Sequence, residues 1–280
     1  MGINREQALD CFQSYDLIGI GMEADAVRRR IHPEGVVTYA VDAAISCASL
    51  DSTAIQAEVA LAEAEGATGI ALQAADLDLE GATSLVSSLR RRFPELWLQV
   101  SDAAPDAGSL PRLRAAGLNS ISIHGVDTVA LALHRAAHGL GMSTTATMIF
   151  GAGESASDLV AQLEAVRRLQ EETGGFSAFV PLSFHEPGGR DLDDPTAVEY
   201  LKTLAIARMV LDNIDTVQAD WTRQGLKVLQ MGLRFGANDV GAVPIQQTKG
   251  ATEEELRRVI RDAGFQPAQR DLGFRIMMLA

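Results

Sequence analysis

Val36-Val-Thr-Tyr-Ala-Val-Asp-Ala-Ala-Ile-Ser-Cys-Ala-Ser49 is the stretch on which the fold turns. It is apolar, rich in β-branched residues and bounded by Gly35 and Asp51, the composition of a buried strand. Asp51-Ser-Thr53 then supplies N-cap chemistry, and Ile55, Val59 and Ala62 form a helical stripe that ends at Gly66. A buried strand passing straight into a helix is the unit of a parallel α/β fold, and the rest of the chain repeats it. Strands are expected over 69–73, 96–100, 120–123, 144–150, 177–183 and 217–219, with a last one inside 240–245. Helices follow over 79–93, 110–116 and 127–138, then from Ser155, and over 196–213, 226–235 and 252–264, several opened by Ser/Thr-x-x-Asp/Glu boxes. Two further helices precede the first strand, with Ala8, Leu9 and Phe12, then Met22, Ala26 and Val27, at helical spacing. Eight strand-helix units with short connections predict a (β/α)8 TIM-type barrel. One domain is expected over 1–280: N-terminal helices to 35, barrel 36–264 and a tail from 265.

Composition narrows the function classes. A chain of 280 residues and net charge −13, with Lys and Arg scattered through helices, opposes contact with nucleic acid or an anionic membrane surface. No leader pattern and no long uncharged apolar run is present, so a soluble, cytoplasmic protein is expected. The two cysteines, Cys11 and Cys47, are too few for a disulfide framework and fit a reducing compartment.

In such barrels chemistry lies at the C-terminal ends of the strands. The residues just after each apolar run are therefore the candidates: Cys47, Gln73 to Asp76, Asp102, His124, Glu154, His185, Asp220, Trp221, Asn238, Gln246 and Gln247. Glu154 and His185 form the expected acid-base pair, with His124 and Asp102 assisting; Trp221, Gln224, Asn238 and Gln246 are the expected ligand contacts. A carboxylate after a strand also reads as the N-cap of the next helix, the reading favoured for Asp76 and Asp102. His134 and His138, four apart, have metal-ligand spacing, but no third ligand is in view and a surface role at a helix C-terminus is the simpler reading. No metal site is expected. Gly151-Ala-Gly153 reads as a plain turn, and Met277-Met-Leu279 as a tail packed on the barrel or on a neighbour.

Several long strings carry a resemblance. Thr144-Thr-Ala-Thr-Met-Ile-Phe-Gly151 with Glu154, Gln170-Glu-Glu-Thr-Gly-Gly-Phe-Ser-Ala-Phe-Val-Pro181, Glu199-Tyr-Leu-Lys-Thr-Leu-Ala-Ile-Ala-Arg208, Gln224-Gly-Leu-Lys227 and Phe235-Gly-Ala-Asn-Asp239 occur in order. Together with Arg28-Arg-Arg-Ile-His-Pro-Glu-Gly35 they resemble the dehypoxanthine futalosine cyclases, radical S-adenosylmethionine enzymes of the futalosine route to menaquinone. The resemblance implies a barrel of the radical S-adenosylmethionine type. It also implies a C-x-x-x-C-x-x-C loop after the first strand, whose thiolates hold a four-iron cluster. Here Cys47-Ala-Ser-Leu-Asp51 runs directly into a helix.

Other departures accompany that loss. The family's Gly-Gly after the second strand is Ala74-Ala75, the glycine-rich turn after the fourth is shortened to His124-Gly-Val126, and a histidine position is Ala152. Paired glutamates after the eighth strand correspond to Gln246-Gln247. One thiolate after the strand cannot hold a cluster that takes several, so no iron-sulfur cluster is expected and S-adenosylmethionine is not expected as a ligand. Two readings follow. One is a cluster-less accessory protein or pseudoenzyme of the futalosine route, pairing with the authentic cyclase or with itself, or holding a small nucleoside. The other is a non-radical acid-base enzyme acting on a futalosine-like nucleoside or related ring.

Overall fold

The computed structural model describes residues 2–48, 51–74, 77–101, 106–185, 194–245 and 250–280. Two helices, α1 (Arg5–Gln13) and α2 (Leu17–Ile31), lead into β1 (Val36–Ser46). The alternation continues with α3 (Ser52–Ala64), β2 (Gly69–Gln73), α4 (Leu79–Arg92), β3 (Trp97–Ser101), α5 (Leu110–Ala115), β4 (Ser120–Ile121) and α6 (Thr128–Gly139). The second half runs β5 (Thr144–Phe150), α7 (Ala156–Thr173), β6 (Phe176–Ser183), α8 (Ala197–Val210), β7 (Thr216–Val217), α9 (Trp221–Gly232), β8 (Asp239–Pro244) and α10 (Glu253–Asp262). It ends in β9 (Gln266–Arg270) and β10 (Ile276–Leu279).

The strands succeed one another in parallel around a (β/α)8 barrel. Continuous ladders join β8, β1, β2, β3 and β4, and likewise β5, β6 and β7. Between β7 and β8 the join is short: Ala219 N–H donates to the Asp239 carbonyl at 2.9 Å and Asn238 N–H to that of Val217 at 3.1 Å. Between β4 and β5 the ladder lapses, and among the described residues a single bridge, Gly125 to Thr147, spans the gap. The helices pack on the outside in two apolar clusters. One backs β5 to β8 and includes Val37, Tyr39 and Val41 of β1; the other backs β2 to β4 and includes Ala43 and Ile45. β1 thus belongs to both cores through its odd-numbered residues, which leaves Thr38, Asp42, Ala44 and Ser46 on the inward face. Ala44 and Ser46 are exposed although they sit on a central strand, because that face looks into an open lumen.

Three expectations are corrected. α2 begins at Leu17 rather than near Met22, because the Asp16 carboxylate accepts the Gly19 N–H at 2.8 Å and caps the earlier turn. α9 begins at Trp221, capped by Asp220, and breaks at Gly225, whose φ of 76° interrupts the helix; the pattern from Leu226 covers only its second part. The tail from 265 is a β-hairpin, whose two strands were not among the expected elements. β9 pairs in parallel with the N-terminal half of β1, on the edge that β2 takes farther along, and β10 runs antiparallel to β9 with its apolar side chains exposed. The hairpin turn closes the barrel floor. It can do so because Gly69 has no side chain: a Cβ there would lie 2.5 Å from Leu272 Cδ1. Gly273 is pressed against Trp97 in the same way.

Candidate functional site

The lumen encloses a cavity of about 330 Å³, at the small end of ligand pockets. Its floor is a buried ion pair. Arg270 Nε lies 2.5 Å from Asp239 Oδ2 and Nη2 lies 2.9 Å from Oδ1, with both side chains almost wholly inaccessible. Asp239 also accepts the Thr38 hydroxyl at 2.6 Å and the Gly241 N–H at 2.7 Å, and the Arg270 guanidinium stacks 3.9 Å over the Phe274 ring. The walls are small and polar. Trp97 Nε1–H donates to Ser120 Oγ at 2.9 Å, which donates to Gln99 Oε1 at 3.2 Å, and Ser122, Thr145, Thr147 and Gln218 line the space above. Ordinary barrels of this type fill the interior with Val, Ile and Leu. Hydroxyl and amide groups here leave room and hydrogen-bonding capacity.

At the mouth, His124 is exposed and Trp221 is buried, only 6% exposed; both line the cavity. Asp220 Oδ1 caps α9 through Thr222 N–H at 2.9 Å, and its Oδ2 lies 3.2 Å from Arg223. Gln224 Nε2–H donates to Ser183 Oγ at 2.7 Å, and Ser183 Oγ is 3.4 Å from His185 Nδ1. The structure therefore brings Gln224 and His185 together through Ser183. His185 Nε2 is 3.5 Å from Asp194, and these separations are long for proton transfer between serine, histidine and aspartate.

Glu154 makes no bond to His185, although Asp194, which lies 3.5 Å from His185 Nε2, lines the same groove as Glu154. The Glu154 carboxylate accepts the N–H groups of Gly151 and of Ala152, the latter at 3.0 Å, which holds the turn before α7. It lines a separate groove of about 540 Å³ with Phe12, Pro195 and Lys202, and no hydrogen bond or ion pair joins it to His185. Asn238 lies at the opposite end of the barrel. Its Oδ1 accepts from Arg208 Nη2 at 2.8 Å and Val217 N–H at 2.9 Å, so it braces the corner between α8 and β7. Asp102, Gln246 and Gln247 lie outside the described residues.

One residue was missed by reading only strand ends. Asp42 lies in the middle of β1 on the inward face, and desolvation by burial raises its carboxyl to about 6 against the pull of Arg270. A carboxylate inside an apolar strand was the available signal. A buried carboxyl that still holds part of its proton near pH 6 is a candidate functional group.

His134 and His138 are not surface groups as expected. His134 is fully buried, both rings contact Thr144 Oγ1 at 2.8 Å, and His138 Nδ1 contacts Thr173 Oγ1 at 2.7 Å. Both pack edge-on against Phe176 at 4.9 Å. Burial first, and His138 second, lowers His134 from 6.5 to about 4. Its contribution to stability is complete above pH 6.5 and is lost as pH falls toward 4, because the unfolded chain takes the proton first. His134 should therefore account for on the order of 3 kcal/mol of the stability lost in urea unfolding between those pH values, beside the share of His138, which burial also lowers to about 4. A His134→Gln variant should flatten that part of the curve; an unchanged slope would sink the assignment.

The thiols do not fit an iron-sulfur cluster. Cys47 is buried in the cluster behind β2 to β4, with burial pushing its thiol up, while Cys11 on α1 packs against the other cluster. Cluster ligation needs several converging thiolates. Ala74, also buried, lies where the resemblance calls for glycine. Among the described residues no group of three His, Cys, Asp or Glu side chains converges on a metal position, and no helix is long and apolar enough to cross a membrane.

The (β/α)8 barrel with two leading helices has counterparts of known structure. In fold it matches methylornithine synthase (PylB) with a TM-score of 0.75 at 14% identity, covering 96% of this chain and 95% of that one. Residues 173–279 match the family model described as the CofH/MqnC C-terminal region. The chain is 29% identical to the cyclic dehypoxanthine futalosine synthase of Streptomyces coelicolor, over 96% of this chain and 84% of the relative, and is a divergent relative of the futalosine synthases. Over 54% of its length it is 38% identical to the 5-amino-6-(D-ribitylamino)uracil–L-tyrosine 4-hydroxyphenyl transferase of Methanococcoides burtonii, covering 46% of that protein. The futalosine synthase alignment runs to 336 positions against 280 residues here, so the relative carries segments inside the matched span that this chain lacks.

Proposed function

We propose that this chain is a non-radical barrel protein of the futalosine lineage that holds a small nucleoside-like ligand in its lumen, as an accessory protein or pseudoenzyme beside an authentic cyclase. The observation that carries the reading is the pairing of an open, polar lumen of about 330 Å³ with two cysteines held apart, Cys47 buried in one apolar cluster and Cys11 half-buried against the other. Reductive cleavage of a sulfonium needs an electron from a low-potential cluster, and no side chain substitutes for one. No step is assigned to such a cluster here. The lumen residues bind and orient: hydroxyls and amides along the walls match ring and sugar polar groups, and Trp221 offers an aromatic face at the mouth.

Asp42 supports a second reading, acid-base chemistry on such a ligand. Its carboxyl, raised to about 6 on the inward face of β1, suits proton transfer near neutral pH, and the His124 imidazole lines the lumen cavity at its mouth. Glu154 is held in the turn before α7, each of its oxygens accepting one backbone N–H.

Anaerobic reconstitution with iron and sulfide, followed by titration with S-adenosylmethionine, tests the proposal. The expected result is substoichiometric iron, no cluster absorbance and no saturable binding. A stoichiometric cluster that cleaves the cosubstrate on reduction would overturn it.

A further inference from the structure

The inward face of β3 fixes the hydrogen-bonding sense of one wall of the lumen. Strand alternation sends Leu98 and Val100 into the apolar cluster behind β2 to β4 and turns Trp97, Gln99 and Ser101 inward. Gln99 pairs in register with Ser120 on β4, and both line the cavity. A chain of hydrogen bonds joins them: Trp97 Nε1–H donates to Ser120 Oγ at 2.9 Å, and Ser120 Oγ donates to Gln99 Oε1 at 3.2 Å. The direction is set at both ends. An indole N–H only donates, so Ser120 Oγ accepts from Trp97. Ser120 is 6% exposed, and among the described residues Gln99 Oε1 is the acceptor for its proton.

Turned over, the Gln99 amide would donate to Ser120 Oγ and leave that hydroxyl proton without an acceptor in a nearly buried position, which costs the desolvation of the donor. The amide is therefore held with its oxygen toward Ser120 and its nitrogen away from it. Gln99 Nε2 has no acceptor among the described residues, and it is not sealed off from the space it borders. Two N–H donors thus face a cavity whose other lining groups include the hydroxyls of Ser122, Thr145 and Thr147, each able to donate or accept. Hydroxyls adapt to a ligand; the held amide does not.

We infer that Gln99 is a specificity residue of the lumen, a fixed donor that selects ring ligands presenting a carbonyl oxygen over those presenting an amino group at the same place, with Ser120 as the positioning residue that holds its amide. The inference rests on the reading of the lumen as a ligand site and names the ligand class. An exocyclic oxygen facing Nε2 accepts a hydrogen bond; an amino group there sets donor against donor and leaves both unpaired.

The test is calorimetric titration of the full chain with inosine and with adenosine, neutral nucleosides that share sugar and ring frame and carry a carbonyl or an amino group at one ring carbon. Wild type should bind inosine about tenfold more tightly, the scale of one hydrogen bond made against one donor left unpaired. Gln99→Met keeps the length of the side chain and removes both donors, and should bring the ratio of the two affinities close to one. Ser120→Ala removes the proton that holds the amide, lets it turn to suit either ligand, and should lower the ratio several-fold, with thermal melting showing both variants folded. A loss of packing alone would weaken both nucleosides together and leave the ratio in place. Equal affinities in wild type, or a ratio unmoved by Gln99→Met, overturn the selection and leave the lumen as a ligand site; a ratio unmoved by Ser120→Ala overturns the positioning role of the serine. If neither nucleoside binds wild type at millimolar concentration, the reading of the lumen falls and the inference with it.

Discussion

Asp42→Asn is expected to make the protein more stable at neutral pH. The folded-state carboxyl titrates at about 6 because burial disfavours its charge, against 3.8 for the free group. Below pH 3.8 both states are protonated and the residue costs nothing. As pH rises from 3.8 to 6 the unfolded chain releases its proton first, so stability is lost across that window and the cost is complete above it. A difference of this size is worth on the order of 2–3 kcal/mol, and an uncharged isostere removes most of it. Urea unfolding at pH 7.5 should therefore show the variant more stable by about 2 kcal/mol, with the two proteins converging near pH 4. Equal stability at pH 7.5 would mean that the carboxylate is solvated in the lumen and carries no such cost. A destabilising carboxylate kept on the inward face of a central strand is what a functional group looks like in stability terms.

Arg270→Met should do the opposite. It leaves Asp239, fully buried, with the Thr38 hydroxyl and the Gly241 N–H but no countercharge. Breaking a buried pair from one side typically costs about 3–5 kcal/mol. The guanidinium also holds the hairpin down, through its stack on Phe274 and its bond to the Asp271 carbonyl at 3.0 Å. Chemical denaturation should report a loss in that range. The double variant Arg270→Met with Asp239→Asn should recover a good part of it, because the stranded charge is then gone. A loss below about 1 kcal/mol for the single variant would show that the pair does not hold the floor.

Reading the sequence placed the β/α alternation and found residues at strand ends, but it could not see what those residues touch. Glu154 and His185 both follow strands, as an acid-base pair requires. Two backbone N–H groups take up the first, while Ser183 and Asp194 flank the second. Capping of this kind involves neighbours within three residues and was legible in principle; that it would consume both oxygens of Glu154 was not. The His134 and His138 rings show the reverse error. Their spacing on one helix was plain, yet their burial depends on Thr144 and Phe176, which β5 and β6 bring across.

The alternation of buried strands and amphipathic helices, the caps that open the helices, the scarcity of cysteine and the run that passes from Cys47 straight to Asp51 are properties of the sequence alone. They follow from local chemistry: side-chain period, capping oxygens and the presence or absence of a ligand atom. Tertiary structure decided the rest. The pairing of β9 with β1 brings Arg270 onto Asp239, thirty-one residues away along the chain, and makes a floor of what reads as a tail. The inward face of β1 puts Asp42 between Gly69 and Pro244, within the pull of Arg270. Both depend on which strand edge is taken and which face looks inward, and no local pattern carries that information because it is set by packing between distant segments.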